Sequence, residues 1–145
     1  MSVRIIRDAI VKTISEITDI GIVEGRQGRK ESLPWTNMQS ATVLPLWTVT
    51  CVQSRWTEPK TIGGKFYEHT FRIRGFYPHN FDANSDTTWT DYIDKVRDKL
   101  DVQPAIDICS MTDPPSLVQN DFVLYGDVLC HFCLFDFRVE EWEVG

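Results

Sequence analysis

The chain has 145 residues, with 15 Lys or Arg against 21 Asp or Glu and a formal net charge of −6. One domain spanning 1–145 is expected, with a core that needs no disulfide or metal staple, and a content of 42% hydrophobic and 25% charged residues excludes a largely disordered chain. The acidic balance excludes a general nucleic-acid binder, and no apolar run approaches the ~20 residues that span a bilayer.

Val3, Ile6, Ile10, Ile14 and Ile17 fall at steps of three or four, which predicts a first helix with one apolar stripe. Ser2 can cap it, and Asp19 and Gly21 end it. Arg4, Arg7, Asp8, Lys12 and Glu16 are mixed among the isoleucines. The segment is therefore read as a core-packing helix of a cytoplasmic chain, not as a signal peptide or a membrane-surface helix. Ile20 to Val23 reads as a short strand. From Glu24 to Ala41 periodicity is lost, and a loop this long is read as either a partner contact or plain flexibility. Its Gly25 and Gly28 do not make a phosphate loop, because no Gly-Lys-Ser/Thr follows.

Leu46 to Trp56 alternates, with Trp47, Val49 and Cys51 on one face and Thr48, Thr50 and Ser54 on the other. Residues 57–65 hold Pro59, Gly63 and Gly64 and read as a turn. Phe66 to Tyr77 alternates again: Tyr67, His69, Phe71 and Ile73 against Glu68, Thr70, Arg72 and Arg74. Together these predict an antiparallel hairpin. After a polar loop at 79–86, Asn84 or Ser85 can cap a second helix whose stripe is Trp89, Tyr92, Ile93, Val96 and Leu100. Residues 103–116, with Pro104, Pro114 and Pro115, are expected to be irregular. Leu117 to Tyr125 and Val128 to Glu143 then read as a second hairpin turning near Gly126-Asp127. The expected fold class is α+β: a mostly antiparallel sheet with two amphipathic helices packed on one face.

The search for chemistry finds little. Cys130 and Cys133 form a Cys-x-x-Cys, but no second ligand pair accompanies it. Three-residue spacing in a strand points the two thiols to opposite faces, so they are read as buried structural cysteines and no metal or other cofactor is expected. His69 falls on an apolar strand face, His79 lies in a loop beside Pro78, and His131 sits between the two cysteines. Asp94 and Asp98 are read as a solvated face rather than paired catalytic carboxylates. No nucleophile elbow, zinc-protease helix, P-loop or dinucleotide fingerprint is present. No catalytic residue is assigned, and the chain is not expected to be an enzyme.

Charge is unevenly spread. Residues 1–30 hold six bases and four acids, residues 31–100 eight of each, and residues 101–145 nine acids and one base, Arg138. The last segment is either a solvated acidic surface or an acidic face with a task.

Three stretches look familiar in combination: Arg7-Asp8-Ala9-Ile10-Val11, Tyr67 to Tyr77, and Gly126-Asp127-Val128-Leu129-Cys130-His131-Phe132 running on to Val139-Glu140-Glu141. In this order and spacing the chain resembles tail terminator (tail completion) proteins of long-tailed bacteriophages and related gene transfer agents. The likeness covers most of the chain and is weakest over 25–45 and 103–116. It implies a structural virion protein at the head-proximal end of the tail, assembled in the host cytoplasm. Such a protein forms a hexameric ring that caps the tail tube, stops its polymerisation and joins the tail to the connector or neck of the head. Implied partners are further copies of itself, the tail tube protein and the head–tail connector, with DNA passing through the lumen without specific binding and no membrane. Acids of residues 101–145 could line that lumen. Loop length and position make Arg26, Arg29, Lys30, Ile62 and Lys65 the candidate subunit or tube contacts. The alternatives are another neck, head–tail joining or tail tube protein of the same assembly, or a small monomeric binding domain.

Overall fold

Helix α1 spans Val3–Ser15 and buries Ile6, Ile10 and Ile14. This is the centre of the expected stripe; Val3 and Ile17 pack at its margins. The last turn is weakened from within. Thr13 Oγ1 donates to the Ala9 carbonyl at 2.8 Å and Ser15 Oγ to that of Val11 at 2.7 Å, bonds that compete with regular helix continuation. Asp19 (φ 60°) and Gly21 (φ 94°) then turn the chain in the left-handed region. Gly21 is required twice over, since a Cβ there would stand 2.0 Å from the Pro45 carbonyl oxygen.

The computed structural model describes residues 3–25, 45–57, 64–79, 84–101, 109–112, 115–125 and 128–144. After α1 come β1 (Ile22–Gly25), β2 (Leu46–Thr57), β3 (Gly64–Pro78), α2 (Ser85–Asp101), β4 (Cys109–Thr112), β5 (Ser116–Tyr125) and β6 (Val128–Val144). The sheet order is β1-β2-β3-β6-β4, with β5 also pairing β6. All pairs are antiparallel except β1 with β2. That parallel pair explains why the chain is long between Gly25 and Leu46: parallel neighbours need a crossover of a dozen or more residues, where a hairpin needs only two.

The helices lie on one face, as the sequence leads one to expect. Ile6, Ile10 and Ile14 of α1 and Trp89, Ile93, Val96 and Leu100 of α2 share one core with inward residues of β2, β3 and β6. Trp47 is its centrepiece. It stacks on Trp89 at 5.3 Å and 22°, and its Nε1–H donates to the Ile20 carbonyl at 3.1 Å. A second, smaller cluster of Leu46, Phe76, Cys130, Phe132 and Leu134 lies on the other face. Cys130 and Cys133 therefore do point to opposite sides of β6.

Four local expectations need correction. A bulge between Cys51 and Gln53 inserts one residue into β2, so Ser54 pairs with His69 and joins the helix face instead of the Thr48 face. Residues 109–112, expected to be irregular, form β4 against β6 despite the nearby prolines. The first strand begins at Ile22, two residues late, because the turn at Asp19 and Gly21 occupies its expected start. Lys65, expected in the turn, lies in β3 opposite Glu143 of β6.

Candidate functional site

The side chains that converge come from three segments. His79 follows the end of β3, Ser85 and Asp86 open α2, and His131 stands on β6. The sheet register is what unites them. Tyr77 pairs with His131 and Pro78 with Cys130, and the His79 amide donates to the Leu129 carbonyl at 2.9 Å. Asn84 adopts φ 52°, a conformation Asn tolerates, and so feeds the chain into α2 directly beside His131.

Distances are short. Ser85 Oγ lies 2.8 Å from His131 Nε2 and 3.2 Å from His79 Nδ1, and the two ring nitrogens are 3.1 Å apart. Asp86 Oδ1 is 3.6 Å from the same His131 Nε2. His131 is 3% exposed and Ser85 2%, whereas the Asp86 side chain is 73% exposed. Rings enclose His131: Phe122 at 4.9 Å, Tyr77 and Trp89 at 6.2 Å, and His79 edge-on at 4.9 Å. Burial lowers the His131 pKa from its ordinary value, Asp86 pulls it back up and His79 presses it down again, so the neutral imidazole is favoured. A cleft of about 210 Å³ opens here, lined by Asp86, Trp89, Thr90, Asn120, Asp121, Phe122 and His131.

Ser, His and Asp together invite comparison with a hydrolytic triad, and the geometry rejects it. A triad needs its carboxylate on the imidazole nitrogen opposite the nucleophile, to fix the tautomer and stabilise the imidazolium. Here Ser85, Asp86 and His79 all face His131 Nε2. What the arrangement offers is a tight group of donor atoms: one from each of His79, Asp86 and His131, all within 4.8 Å of one another.

A second group lies at the β2 bulge. Ser54 Oγ is 2.8 Å from His69 Nδ1 and 3.5 Å from Cys51 Sγ. Burial pushes the Cys51 thiol up, but hydrogen bonding to His69 and Ser54 and the charge of His69 together hold it below its ordinary value. His69 is otherwise what its strand position implies, a buried imidazole with a partner.

Of the contact residues proposed from sequence, Arg26, Arg29, Lys30 and Ile62 lie outside the described residues, and Lys65 is described only as a backbone position of β3. Asp94 is a surface residue with Arg97 3.9 Å away. The histidine group escapes sequence reasoning because His79 and His131 are 52 residues apart. The only local signals are a Ser-Asp pair at a helix start and a histidine just past a strand. The sequence matches no known protein family and no curated protein.

Proposed function

We propose that this chain is a structural virion protein of the tail terminator kind, a subunit of a hexameric ring on the head-proximal end of a tail tube. The ring would stop tube polymerisation and join the tail to the connector of the head. The observation that carries the reading is what the three familiar stretches build. The first belongs to α1, and the second and third are adjacent in the sheet, with Phe76 opposite Phe132 and Tyr77 opposite His131. Stretches separated by some fifty residues thus form one contiguous part of the fold.

The sheet margins support the same reading. A closed ring of identical subunits needs two unlike side patches. One margin is β1, four residues long and parallel to its neighbour; the other is β5 and β4, both antiparallel to β6. Among the described residues each margin pairs on one side only. β5 also exposes Val118, Phe122 and Leu124, the last at 72%. Long apolar edges are a liability in a lone subunit and an asset in an assembly. No helix among the described residues is long and apolar enough to cross a membrane. Of the acids of 101–145 proposed for a lumen wall, Asp136 is matched by Arg72 at 3.2 Å and would add little to its charge.

Deleting the gene in its phage or transfer agent and imaging the particles tests the proposal. Overlong tails, or tails that fail to join DNA-filled heads, are expected. Normal infectious particles sink it. Native mass spectrometry of Leu124→Asp separates the margin from the fold: this variant should melt like wild type and lose the hexamer.

A further inference from the structure

We propose that His79 Nδ1, His131 Nε2 and Asp86 Oδ1 form a binding site for a first-row divalent cation of the zinc type, with an open coordination position toward the cleft beside Trp89 and Phe122. The proposal goes beyond the ring reading and does not depend on it.

The first argument is spacing. A tetrahedral zinc with bonds of ~2.05 Å holds its ligand atoms about 3.3 Å apart. The two ring nitrogens here are 3.1 Å apart and Asp86 Oδ1 is 3.6 Å from His131 Nε2. Those two separations need shifts of only a few tenths of an ångström, and the third, between Asp86 and His79, lies within 4.8 Å and shortens by rotation of the exposed Asp86 side chain. Two imidazoles and one carboxylate are a donor set that suits zinc and its first-row neighbours.

The second argument is a proton count. Ser85 Oγ, His79 Nδ1 and His131 Nε2 are mutually within 2.8–3.2 Å. A ring nitrogen has either a proton or a lone pair, never both. If both nitrogens carry lone pairs, they repel at 3.1 Å and the one serine proton serves one of them. If one carries a proton, that proton aims at a single acceptor. The hydroxyl can accept from one nitrogen and donate to the other, and the 3.1 Å contact between the two nitrogens is then left without a direct hydrogen bond of its own. A cation between the nitrogens uses both lone pairs at once and replaces their contacts with the Ser85 hydroxyl.

Access fits as well. Asp86 is mostly exposed and His131 lies at the wall of the cleft, so one side of the cation is protein and the other is open. The cleft wall also holds Trp89, an aromatic side chain beside the open position. The positive end of the α2 dipole opposes a cation weakly, and Asp86 in the first turn offsets it.

The test is equilibrium dialysis of metal-stripped full-length protein against Zn²⁺, with the bound metal measured by elemental analysis. Co²⁺ replaces Zn²⁺ in a second cell, where intense visible bands mark four-coordination. Wild type should bind one equivalent and gain thermal stability. Asp86→Ala should weaken binding about tenfold or more, and His79→Ala should abolish both the stoichiometric binding and the thermal gain. Both replaced side chains lie outside the apolar core, so the fold survives to be measured. A variant with all four cysteines changed to serine or alanine should bind as wild type does. Absence of stoichiometric zinc in wild type overturns the proposal. So does binding that is unchanged in both Asp86→Ala and His79→Ala, or that disappears with the cysteines.

Discussion

On the helix side of the sheet, Trp47, Val49, Phe71, Ile73, Phe135 and Phe137 meet the buried side chains of α1 and α2 in one apolar cluster. On the other side the same strands present Leu46, Phe76, Cys130, Phe132 and Leu134, and with them Thr48, Thr50 and the Arg72–Asp136 ion pair. Thr48 and Thr50 are buried with hydroxyl oxygens that have no hydrogen-bond partner, an arrangement that costs about 1–3 kcal/mol per group. A sheet selected only for the stability of this chain would carry Val at both positions. The outer face thus keeps two polar groups at some cost to folding, while the helix face is mostly apolar, with the buried side chains of His69, Ser85 and His131 hydrogen-bonded and Trp89 Nε1 unpartnered.

The largest expected effect lies on the helix face. Ile10 is fully buried, and Ile10→Asp should cost several kcal/mol through an unpaired buried charge, close to a domain's whole stability of roughly 5–15 kcal/mol. Circular dichroism should find this variant unfolded at room temperature. A melting temperature within a few degrees of wild type would mean that α1 faces solvent.

A direct contrast comes next. Phe135→Ala should lose about 3–5 kcal/mol. Phe132→Ala should lose less, because Phe132 retains 8% exposure and belongs to the smaller cluster, where it packs on Phe76 at 5.2 Å. Equal losses in urea titrations would erase the difference between the faces. Gly75→Ala tests how tightly the helix face is filled. A Cβ at Gly75 would stand 2.4 Å from the Trp47 ring, and overpacking of this kind costs about 1–3 kcal/mol. An unchanged midpoint would show that Trp47 has room to move.

The smallest effect separates two thiols three residues apart. Burial pushes Cys130 up to about 11 and Cys133, on the helix face, further still. Both folded values exceed the unfolded value of 9.0. The stability that depends on the neutral thiols is therefore complete below pH 9 and is lost as pH rises above it. Each thiol contributes a slope of up to about 1.4 kcal/mol per pH unit. The Cys130 share should level off near pH 11, while the Cys133 share continues. Cys130→Ala should remove the first and Cys133→Ala the second in stability measured against pH. Identical profiles for the two variants would place the thiols in equivalent surroundings.

What was legible in the sequence is what depends on neighbours in the chain. The stripe of α1, the stripe of α2, the alternation of β3 and the opposed Cys130 and Cys133 all follow from periods of 3.6 or 2. Ser54 was misplaced because the bulge before it is a tertiary adjustment with no sequence signature of its own. β4 was hidden because four residues carry too little periodicity to register. The histidine group was invisible for a stronger reason. Local alternation suggests β2 with β3 and β5 with β6, but nothing local says that β3 lies against β6. That one pairing creates the site.

The same pairing governs when the protein can fold. β3 meets β6 through partners that run from Pro78 with Cys130 to Gly64 with Val144, so the middle of the sheet is its least local part. The hairpins can form early, but closing the centre must overcome the entropy of a long intervening chain. β6 is also the last of the six strands in chain order. During synthesis at roughly 5–20 residues per second, the parts of β3 and the helices that pack on β6 wait uncovered until β6 has left the ribosome. Holding that unfinished sheet apart from its neighbours for several seconds is a natural task for a chaperone.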